Sequence, residues 1–496
     1  MSGILSNIHG NISFALNLHY KEMARLQEQA YTGSRINRAS DEPSTAYLVL
    51  GLNSQKRTIA NYMDNITDTM SSLDIASTTV SNMVESISSA KVALAGVTDT
   101  DGTVARSIYP ETINNLLEDL VLSANWQHKR QYLFGGSDTD SAPYAITRDS
   151  NGDITEVAYQ GSLEDRDIEV APNVESSAFY AGDNVFRSND RGDPEFVLDN
   201  TGAAAGTGTA SVTGYTWLTV AAAVNEQQTI TITGGPPTSG DINIAFGGDN
   251  VDVAFDADAD AVRAAMESMS SIGVGDVTVT GTSFTDANGI TVEFTGALAL
   301  TNVAEMVVAD VDLDAGTPAI STDRDGGMQL SIDGGTAVGI PIGDKTNVAV
   351  TNPDGKVLYV DATNITSTGV DLVNIPGTHD MFNTLITIRD ILKNENDTFT
   401  SGQLNTMRDN STEALDELSG LLSEMTVSLG TRIGFLQTIK DNLEDMKFGV
   451  EDEATLLQEA DIAQIAIDIS RRQALYEMSL SVSGRLMSMS LLDFIR

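Results

Sequence analysis

Aspartates are the residues of this sequence whose type and spacing most invite a chemical interpretation. They cluster at Asp252, Asp256, Asp258 and Asp260, and again at Asp310, Asp312 and Asp314. Hard cations take several carboxylate oxygens, so calcium binding is one hypothesis for these clusters. Neither cluster has the spacing of an EF-hand loop, and a run of charge is usually a solvated face, which is the other hypothesis. The sequence leaves calcium open and predicts no other cofactor.

Other signatures of catalysis are missing. The chain has no cysteine, which removes disulfides, thiolate metal sites and cysteine nucleophiles. It contains no H-E-x-x-H, G-x-S-x-G or P-loop motif. His9 and His19 fall on or beside a helix seam, where we expect them to pack or to lie at an interface. We therefore predict that the protein is not an enzyme, with an enzymatic middle region as an alternative.

The charge of the chain is unevenly distributed. Its 496 residues carry 28 Lys+Arg and 70 Asp+Glu, a net charge of -42, which argues against nucleic acid as a partner. Residues 140 to 380 contain 37 acidic and 8 basic residues, net -29, and between residues 192 and 323 Arg263 is the only base among 19 acids. The middle of the chain is therefore predicted to be a different kind of domain from the ends.

The elements that position these residues begin with two N-terminal helices. Residues 4 to 32 carry apolar residues at steps of three and four, and Gly33 is expected to end this helix. Large aliphatic residues recur at every seventh position from Leu52 to Leu94, which predicts one long helix with a coiled-coil seam from about Pro43 to Ala95. Ser40 or Asp41 is expected to cap its first turn. A third helix is predicted from about Pro110 to Tyr132.

The C-terminal end has the same pattern. Thr400 and Gln403 form a possible capping box before a second long seam, which Gly449 and the acids that follow it are expected to break. A last helix is predicted to follow. Alternating strands between Gly- and Asp-rich turns fill the middle, with one helix at about Asp258 to Met269. The predicted fold class is α+β, a long helical coiled-coil stem from both termini with an inserted β-rich outer domain.

No apolar run approaches the length of a membrane helix, and the first residues lack the order of a secretory signal. We therefore expect no membrane partner. A cytosolic soluble protein is the simple interpretation, and a protein exported without a cleaved signal would have the same sequence features.

Four separated segments resemble one known family. The run TGSRINRASDEPSTAYLVLGLNSQ from Thr32, placed between the two N-terminal helices, resembles the flagellin superfamily of bacterial flagella. The resemblance continues in YLFGGSDTDSAPY from Tyr132 and VAYQGSLEDRDIEVAPN from Val157. It closes with the C-terminal run LQEADIAQIAIDISRRQALYEMSLSVSGRLMSMSLLDFIR. The later segments are most similar to members of the superfamily that form the junction between hook and filament.

The resemblance implies a structural subunit that joins the hook to the filament. Members of this family are exported uncleaved through the flagellar type III apparatus, which implies an extracellular location on the flagellum. Their terminal helices pair into a coiled coil on assembly. The implied partners are a hook-side junction protein, flagellin, further copies in a ring, and a cytoplasmic export chaperone at the C-terminal segment. Filament flagellin itself, or an adhesin that acts through the inserted domain, are the alternatives.

Two sets of residues are predicted to carry this function. Arg35, Asn37 and Arg38 are either an assembly contact or a solvated turn, and the resemblance favours the contact. The whole predicted assembly interface is Ile8, Ile12, Leu26, Arg35, Asn37, Arg38, Leu456, Ile467, Leu486 and Leu491. The predicted stem seam is Leu52, Ile59, Ile66, Leu73, Val80, Ile87, Leu418 and Leu436.

Six segments summarise the predicted organisation. Residues 1–42 are an N-terminal assembly helix and loop, 43–139 and 379–450 are the two halves of the helical stem, and 451–496 are a C-terminal assembly helix. Residues 140–224 with 319–378 form the β-rich outer domain. Residues 225–318 weakly resemble a strand-helix-strand module of bacterial surface proteins and are predicted to be inserted into it.

Overall fold

A computed structural model describes residues 2–96, 105–394 and 398–494, with side chains for 10–96, 108–394 and 398–485. The helices are α1 Ser2–Thr32, α2 Pro43–Ala95, α3 Ala105–Ala124, α4 Gly182–Val185, α5 Ala259–Met266, α6 Met381–Lys393, α7 Ser401–Gln458 and α8 Ile462–Phe494. The first strands are β1 Gln127–His128, β2 Gln131–Tyr132, β3 Tyr144–Arg148, β4 Ile154–Tyr159, β5 Arg166–Ala171, β6 Val174–Phe179, β7 Glu195–Phe196, β8 Ala204–Ala205, β9 Gly214–Val224 and β10 Gln227–Thr233. The remaining strands are β11 Asp241–Phe246, β12 Asp249–Ala254, β13 Val277–Gly281, β14 Ile290–Phe294, β15 Val307–Val311, β16 Thr317–Arg324, β17 Gly327–Ile332, β18 Val338–Gly339, β19 Val348–Thr351, β20 Val357–Asp361 and β21 Gly369–Ile375.

The chain divides into two compact units. Unit 1 comprises Met1–Asp74, Asp167–Ala178 and Leu429–Arg496, and unit 2 comprises Ile75–Arg166 and Phe179–Ser428. Long terminal helices and a strand-rich middle give the α+β fold that the sequence predicts. Within the described residues, no helix combines the length and the apolar character that crossing a membrane requires.

Helix α2 spans the range that the heptads predict, Pro43–Ala95. Large aliphatic side chains at every seventh position are buried along it. In unit 1 these are Ile59, Ile66 and Leu73, and in unit 2 they are Val80, Ile87 and Leu94. Asp41 does not cap the first turn of this helix, because its Oδ2 accepts from the backbone N–H of Arg38, three residues earlier, at 2.9 Å. The helix is therefore defined by its apolar periodicity.

The predicted break of α7 at Gly449 is wrong, because the helix continues to Gln458. One interior glycine costs only about 1 kcal/mol, which a helix of 58 residues absorbs. The acids after Gly449 also fit the helix, since Glu451 pairs with Lys56 at 2.5 Å. The hydrogen bond from Lys56 lowers the pKa of Glu451 below its ordinary value. At the other end the predicted capping box is present, with Gln403 Oε1 accepting from the N–H of Thr400 at 2.8 Å.

Helix α3 ends at Ala124, eight residues before the predicted end at Tyr132. The following residues form a tight hairpin, in which β1 and β2 pair across a two-residue turn at Lys129 and Arg130. Both turn residues have left-handed backbone, with φ of 50° and 69°. A helix cannot pass through two such residues, so the structure turns where the apolar pattern alone predicts a continuation.

Unit 2 contains a helical core around α3 and α6, which pack on each other. Phe134, Tyr144, Phe186 and Phe382 form an aromatic cluster there, with ring centroids 4.7 to 6.0 Å apart. Asp380 caps α6 by accepting from the N–H groups of Phe382 and Asn383. The helix ends at Asn394, whose φ of 39° separates α6 from α7.

One β-rich part of unit 2 consists of two sheets that share a core. The five-stranded sheet has the order β18-β17-β9-β21-β7, and the three-stranded sheet has the order β19-β20-β8. The shared core includes Leu218, Leu330, Val350, Val360 and Val373, all fully or almost fully buried. This sheet pair lies within residues 140–224 and 319–378, the segments predicted to form the outer domain, and the strand pairs β3-β4 and β5-β6 of those segments are separate from it.

The inserted module has a core of its own. Its sheets have the orders β13-β14-β10-β16 and β12-β11-β15, and α5 packs on β12 and β13. Ile230, Ile244, Val262, Met266 and Phe294 are among its buried residues. The chain enters the module from β9 into β10 and leaves it from β16 into β17. Strands β9 and β17 pair with each other, and so do β10 and β16.

The predicted boundary of the module at residue 318 is wrong. Strand β16 runs to Arg324 and pairs with β10 from Thr233↔Thr317 to Gln227↔Arg324. The module therefore ends at about Asp325. Strand β17 begins at Gly327, opposite Val224 at the end of β9. Alternating strand residues continue smoothly across this point, which is why the sequence does not mark it.

Candidate assembly surface

Two segments of unit 1 that separate consecutive helices are connected to each other by backbone hydrogen bonds. The loop after α1 meets the junction between α7 and α8: the N–H of Arg35 donates to Gln458 O at 2.6 Å, and the N–H of Ala460 donates to Gly33 O at 3.0 Å. Ser34 and Glu459 form a β-bridge between these bonds. We call residues 33–35 with 458–460 the clasp. Its backbone bonds explain where α7 ends: the N–H of Glu459 still donates to Thr455 O, but the N–H of Ala460 donates to Gly33 O instead of to the carbonyl four residues earlier.

Side chains brace the loop that leads from the clasp to α2. Gln29 is buried and its Nε2 donates to Arg35 O at 2.7 Å. The Arg35 guanidinium lies 3.2 Å from Glu42, and Asn37 Nδ2 donates to Ser34 O at 3.3 Å. Arg38 lies 3.5 Å from Glu28, and its side chain is 70% exposed. Arg35 and Asn37 thus hold the loop in shape, and Arg38 is the member of the predicted trio that is most available to another molecule.

Helix α8 packs against α1 with one of its faces. Leu26, Ala460 and Ile465 are buried where the helices meet, and Ile469 packs beside them. Asp461 starts α8 by accepting from the N–H of Gln464 at 3.0 Å. On α1, the predicted line through Ile12, Ala15, His19 and Met23 is half-buried.

The opposite face of α8 is also apolar and is exposed. It carries Ala463, Ile467, Ala474, Met478 and Val482, whose large members Ile467, Met478 and Val482 are 61%, 63% and 55% exposed. We call these five residues the outer stripe. Successive helical residues are rotated by about 100°, so Ile465 and Ile467 point about 200° apart. A helix that is apolar on two faces is typical of one that is buried on both.

Other large apolar side chains of unit 1 are exposed as well. Phe14 on α1 is 72% exposed, and Tyr47 and Leu50, one turn apart on α2, are 78% and 60% exposed. Most of the exposed large hydrophobic residues among the described side chains lie in unit 1, although it is the smaller unit. Exposed apolar surface on this scale marks an interaction site.

The structure separates the predicted site residues into two groups. Of the predicted stem seam, Leu52 is half-buried and the other seven residues are almost fully buried: Ile59, Ile66, Leu73, Val80, Ile87, Leu418 and Leu436. Of the predicted interface, Leu26 is buried against α8, while Leu456 and Ile467 are exposed. The side chains of Ile8, Leu486 and Leu491 lie outside the described residues. The inner face of α8 and the clasp are not in the prediction.

The aspartate clusters serve local hydrogen bonding. Asp258 caps α5, and Asp310 accepts from the N–H of Leu313 at 2.8 Å. Asp314 accepts from the N–H of Thr238 at 2.7 Å, and its bonds to Thr238 lower the pKa of its carboxyl. Across the described residues, no three acidic or histidine side chains converge in a way that could hold a metal ion.

Replacing Gly33 with alanine is predicted to loosen the clasp. Gly33 has a φ of +68°, and an added Cβ would meet no atom within 4 Å, so the penalty is conformational alone. We expect about 1 kcal/mol, which is roughly a fivefold loss of protection for the amides of Arg35 and Ala460 in hydrogen exchange. Gly33→Asn is the matched control, because asparagine tolerates left-handed backbone better than alanine. Equal protection in Gly33→Ala and the unchanged chain would contradict this assignment.

Terminal helices that pack together and still expose an apolar face are typical of a structural subunit that associates with others. One protein-family model matches the N-terminal part of the chain. Residues 9–139 match the family model of the bacterial flagellin N-terminal helical region. The resemblance to the flagellin superfamily is thus confirmed for that segment.

Solved structures of flagellar proteins also match the chain. FlgL of Xanthomonas campestris is 15% identical, with 79% of this chain and 99% of that chain covered and a TM-score of 0.38. The flagellar hook associated protein-3 of Legionella pneumophila is 15% identical, with 82% and 98% covered and a TM-score of 0.40. The flagellar junction protein FlgL from Legionella pneumophila is 13% identical, with 84% and 100% covered and a TM-score of 0.39. No curated protein sequence matches the chain.

Proposed function

We propose that the protein is a structural subunit of the bacterial flagellum that joins the hook to the filament. The outer stripe of α8 is the observation that carries this proposal, together with the flagellin N-terminal match over residues 9–139. The match supports a flagellar subunit, and the sequence segments from Tyr132, Val157 and the C-terminus favour the junction over filament flagellin. The subunit binds its neighbours and does not transform a substrate.

Burial of the apolar helix faces drives assembly in this proposal. Ile467, Met478 and Val482 together would contribute roughly 3 to 5 kcal/mol when their exposed surface is covered. The terminal helices of adjacent copies cover each other's outer stripes and form a ring. Within each copy, α2 and α7 pair as a coiled coil along the buried heptad positions. The Lys56 to Glu451 and Lys91 to Asp416 ion pairs, which each join α2 to α7 within one unit, support this pairing.

The ring has a hook-side junction protein on one side and flagellin on the other in this proposal. Before assembly the same apolar faces need protection from aggregation, which is the role of an export chaperone at the C-terminal segment. The subunit reaches the outside of the cell through the flagellar export apparatus without a cleaved signal peptide. The acidic middle segment then faces the medium and keeps the assembled subunit soluble.

Deletion of the gene in the bacterium tests the junction role against filament flagellin. We expect cells that assemble hooks, lack filaments and release flagellin into the medium, as seen by electron microscopy and immunoblotting of the supernatant. Complementation with the intact chain should restore filaments. Cells without flagellin in either fraction would indicate that the chain is the flagellin itself, and normal filaments would contradict a flagellar role.

A further inference from the structure

A basic hairpin projects from unit 2 of this acidic chain. Lys129 and Arg130 form the two-residue turn between β1 and β2, and both side chains are exposed. Trp126, just before the hairpin, is 48% exposed, and Leu122, four residues earlier, is 63% exposed. We call these four residues the tip patch. It combines two cations with an aromatic and an aliphatic surface.

The backbone conformation of this turn is unfavourable for lysine and arginine. A two-residue turn with φ of 50° and 69° is the left-handed arrangement for which Asn-Gly is the preferred sequence. Lysine and arginine pay a steric penalty there, and such strain in a native structure points to a function for the side chains. The base of the hairpin is fixed, since the N–H of Tyr132 donates to Thr139 O at 2.9 Å and that of Leu133 donates to Trp126 O at 3.1 Å. The tip is therefore presented rigidly.

The chemistry of the tip patch fits an acidic protein surface. Arginine and tryptophan are enriched among residues that dominate binding energy, and the two cations select an anionic partner. The chain itself supplies such a surface, with net charge -29 over residues 140 to 380 and a single base between residues 192 and 323. Each copy of the chain carries both the tip patch and this acidic segment, so a second copy can supply the partner surface.

We propose that the tip patch docks on the acidic segment, residues 140–380, of a second copy of this chain. The contact is separate from the terminal helices, because the patch lies in unit 2 and the outer stripe lies in unit 1. It adds a charge-dependent lateral contact to the apolar one and does not depend on the flagellar role.

Photocrosslinking on the full-length protein tests this contact. We would place p-benzoylphenylalanine at position 126 and mix ¹⁵N-labelled with unlabelled protein, so that mass spectrometry separates links between copies from links within one copy. Links between copies into peptides of residues 140–380 are expected. Links confined to one copy, or between copies but outside that range, would overturn the proposal. Val92, which is 71% exposed on α2 and lies outside both the tip patch and residues 140–380, is the control position for random collision.

A paired substitution tests the cations without unfolding the hairpin. Lys129→Asn with Arg130→Gly removes both charges and gives the preferred turn sequence, so the thermal midpoint should rise or stay the same. Self-association in sedimentation velocity should weaken about tenfold, as it should for the unchanged chain between low and high salt. Ile467→Asp should leave this contact intact, which separates it from assembly through the helices. Unchanged association of the paired variant, or no association of the unchanged chain at any protein concentration tested, would overturn the proposal.

Discussion

Replacing Ile467 with aspartate is expected to abolish assembly and leave the free subunit folded. Ile467 is 61% exposed on the outer stripe, so its loss should change the stability of the monomer by no more than about 0.5 kcal/mol. In an assembled helix layer the same carboxylate would be buried among apolar side chains without a cation. A penalty of about 3 kcal/mol corresponds to more than 100-fold weaker association. Filament formation in complemented cells measures assembly, and urea unfolding of the purified protein measures the stability of the monomer.

Ile465 provides the matched control for this substitution. It lies two residues earlier on the inner face of α8, where it is 7% exposed and packs with Leu26 and Ala460. Ile465→Asp should separate α1 from α8 in the monomer and increase proteolysis of both helices. The two variants differ only in which face of α8 carries the charge. Normal filaments on Ile467→Asp would rule out the outer stripe as an assembly contact.

Replacing Arg389 with methionine is expected to destabilise unit 2 by about 3 to 5 kcal/mol. Its side chain on α6 is 2% exposed. One guanidinium nitrogen, Nη1, donates to Asn114 Oδ1 on α3 at 2.9 Å and to Ile154 O on β4 at 2.6 Å. Methionine fills similar space but removes the donor to the buried Ile154 carbonyl and to the half-buried Asn114 side chain. Urea unfolding followed by tryptophan fluorescence reports on unit 2, since both tryptophans, Trp126 and Trp217, lie in it.

Asp390 separates the loss of buried donors from the loss of an ion pair. It lies 2.8 Å from Arg389, and its side chain is 53% exposed. Asp390→Asn should change the free energy of unfolding by less than about 1 kcal/mol, because an exposed pair contributes little. An equal effect of both substitutions would show that the ion pair, rather than the bonds to α3 and β4, stabilises this core.

Sequence periodicity predicts the long helices, but it does not predict which face of a helix packs on which neighbour. The heptads from Leu52 to Leu94 predict most of α2 as one continuous helix, because a helix places a large aliphatic residue at every seventh position along a single seam. The same method finds the outer stripe of α8 through Ile467. It misses the inner face with Ile465 and Ile469, because a helix that is apolar on two sides does not show which side meets its neighbour in the chain.

Contacts between distant backbone segments leave no pattern in the sequence. The clasp joins Ser34 to Glu459 by main-chain bonds, which place no requirement on side-chain type. The hairpin at Lys129 and Arg130 is hidden for a related reason: the residues are poor choices for the turn that they form. The buried Arg389 is equally invisible, since its acceptors on α3 and β4 are far from it along the chain.

The point where the inserted module joins the outer domain has a use in protein engineering. Val224 and Gly327 face each other on the paired strands β9 and β17, so the two chain ends that enclose the module are about 5 Å apart. The outer domain keeps its own core, since Leu218 on β9 and Leu330 on β17 are buried further along these strands, away from the module. Any foreign domain whose two termini lie equally close is geometrically compatible with replacing residues 225–325. The strand pair is therefore a site at which a foreign domain can be grafted onto the folded chain without separating β9 from β17.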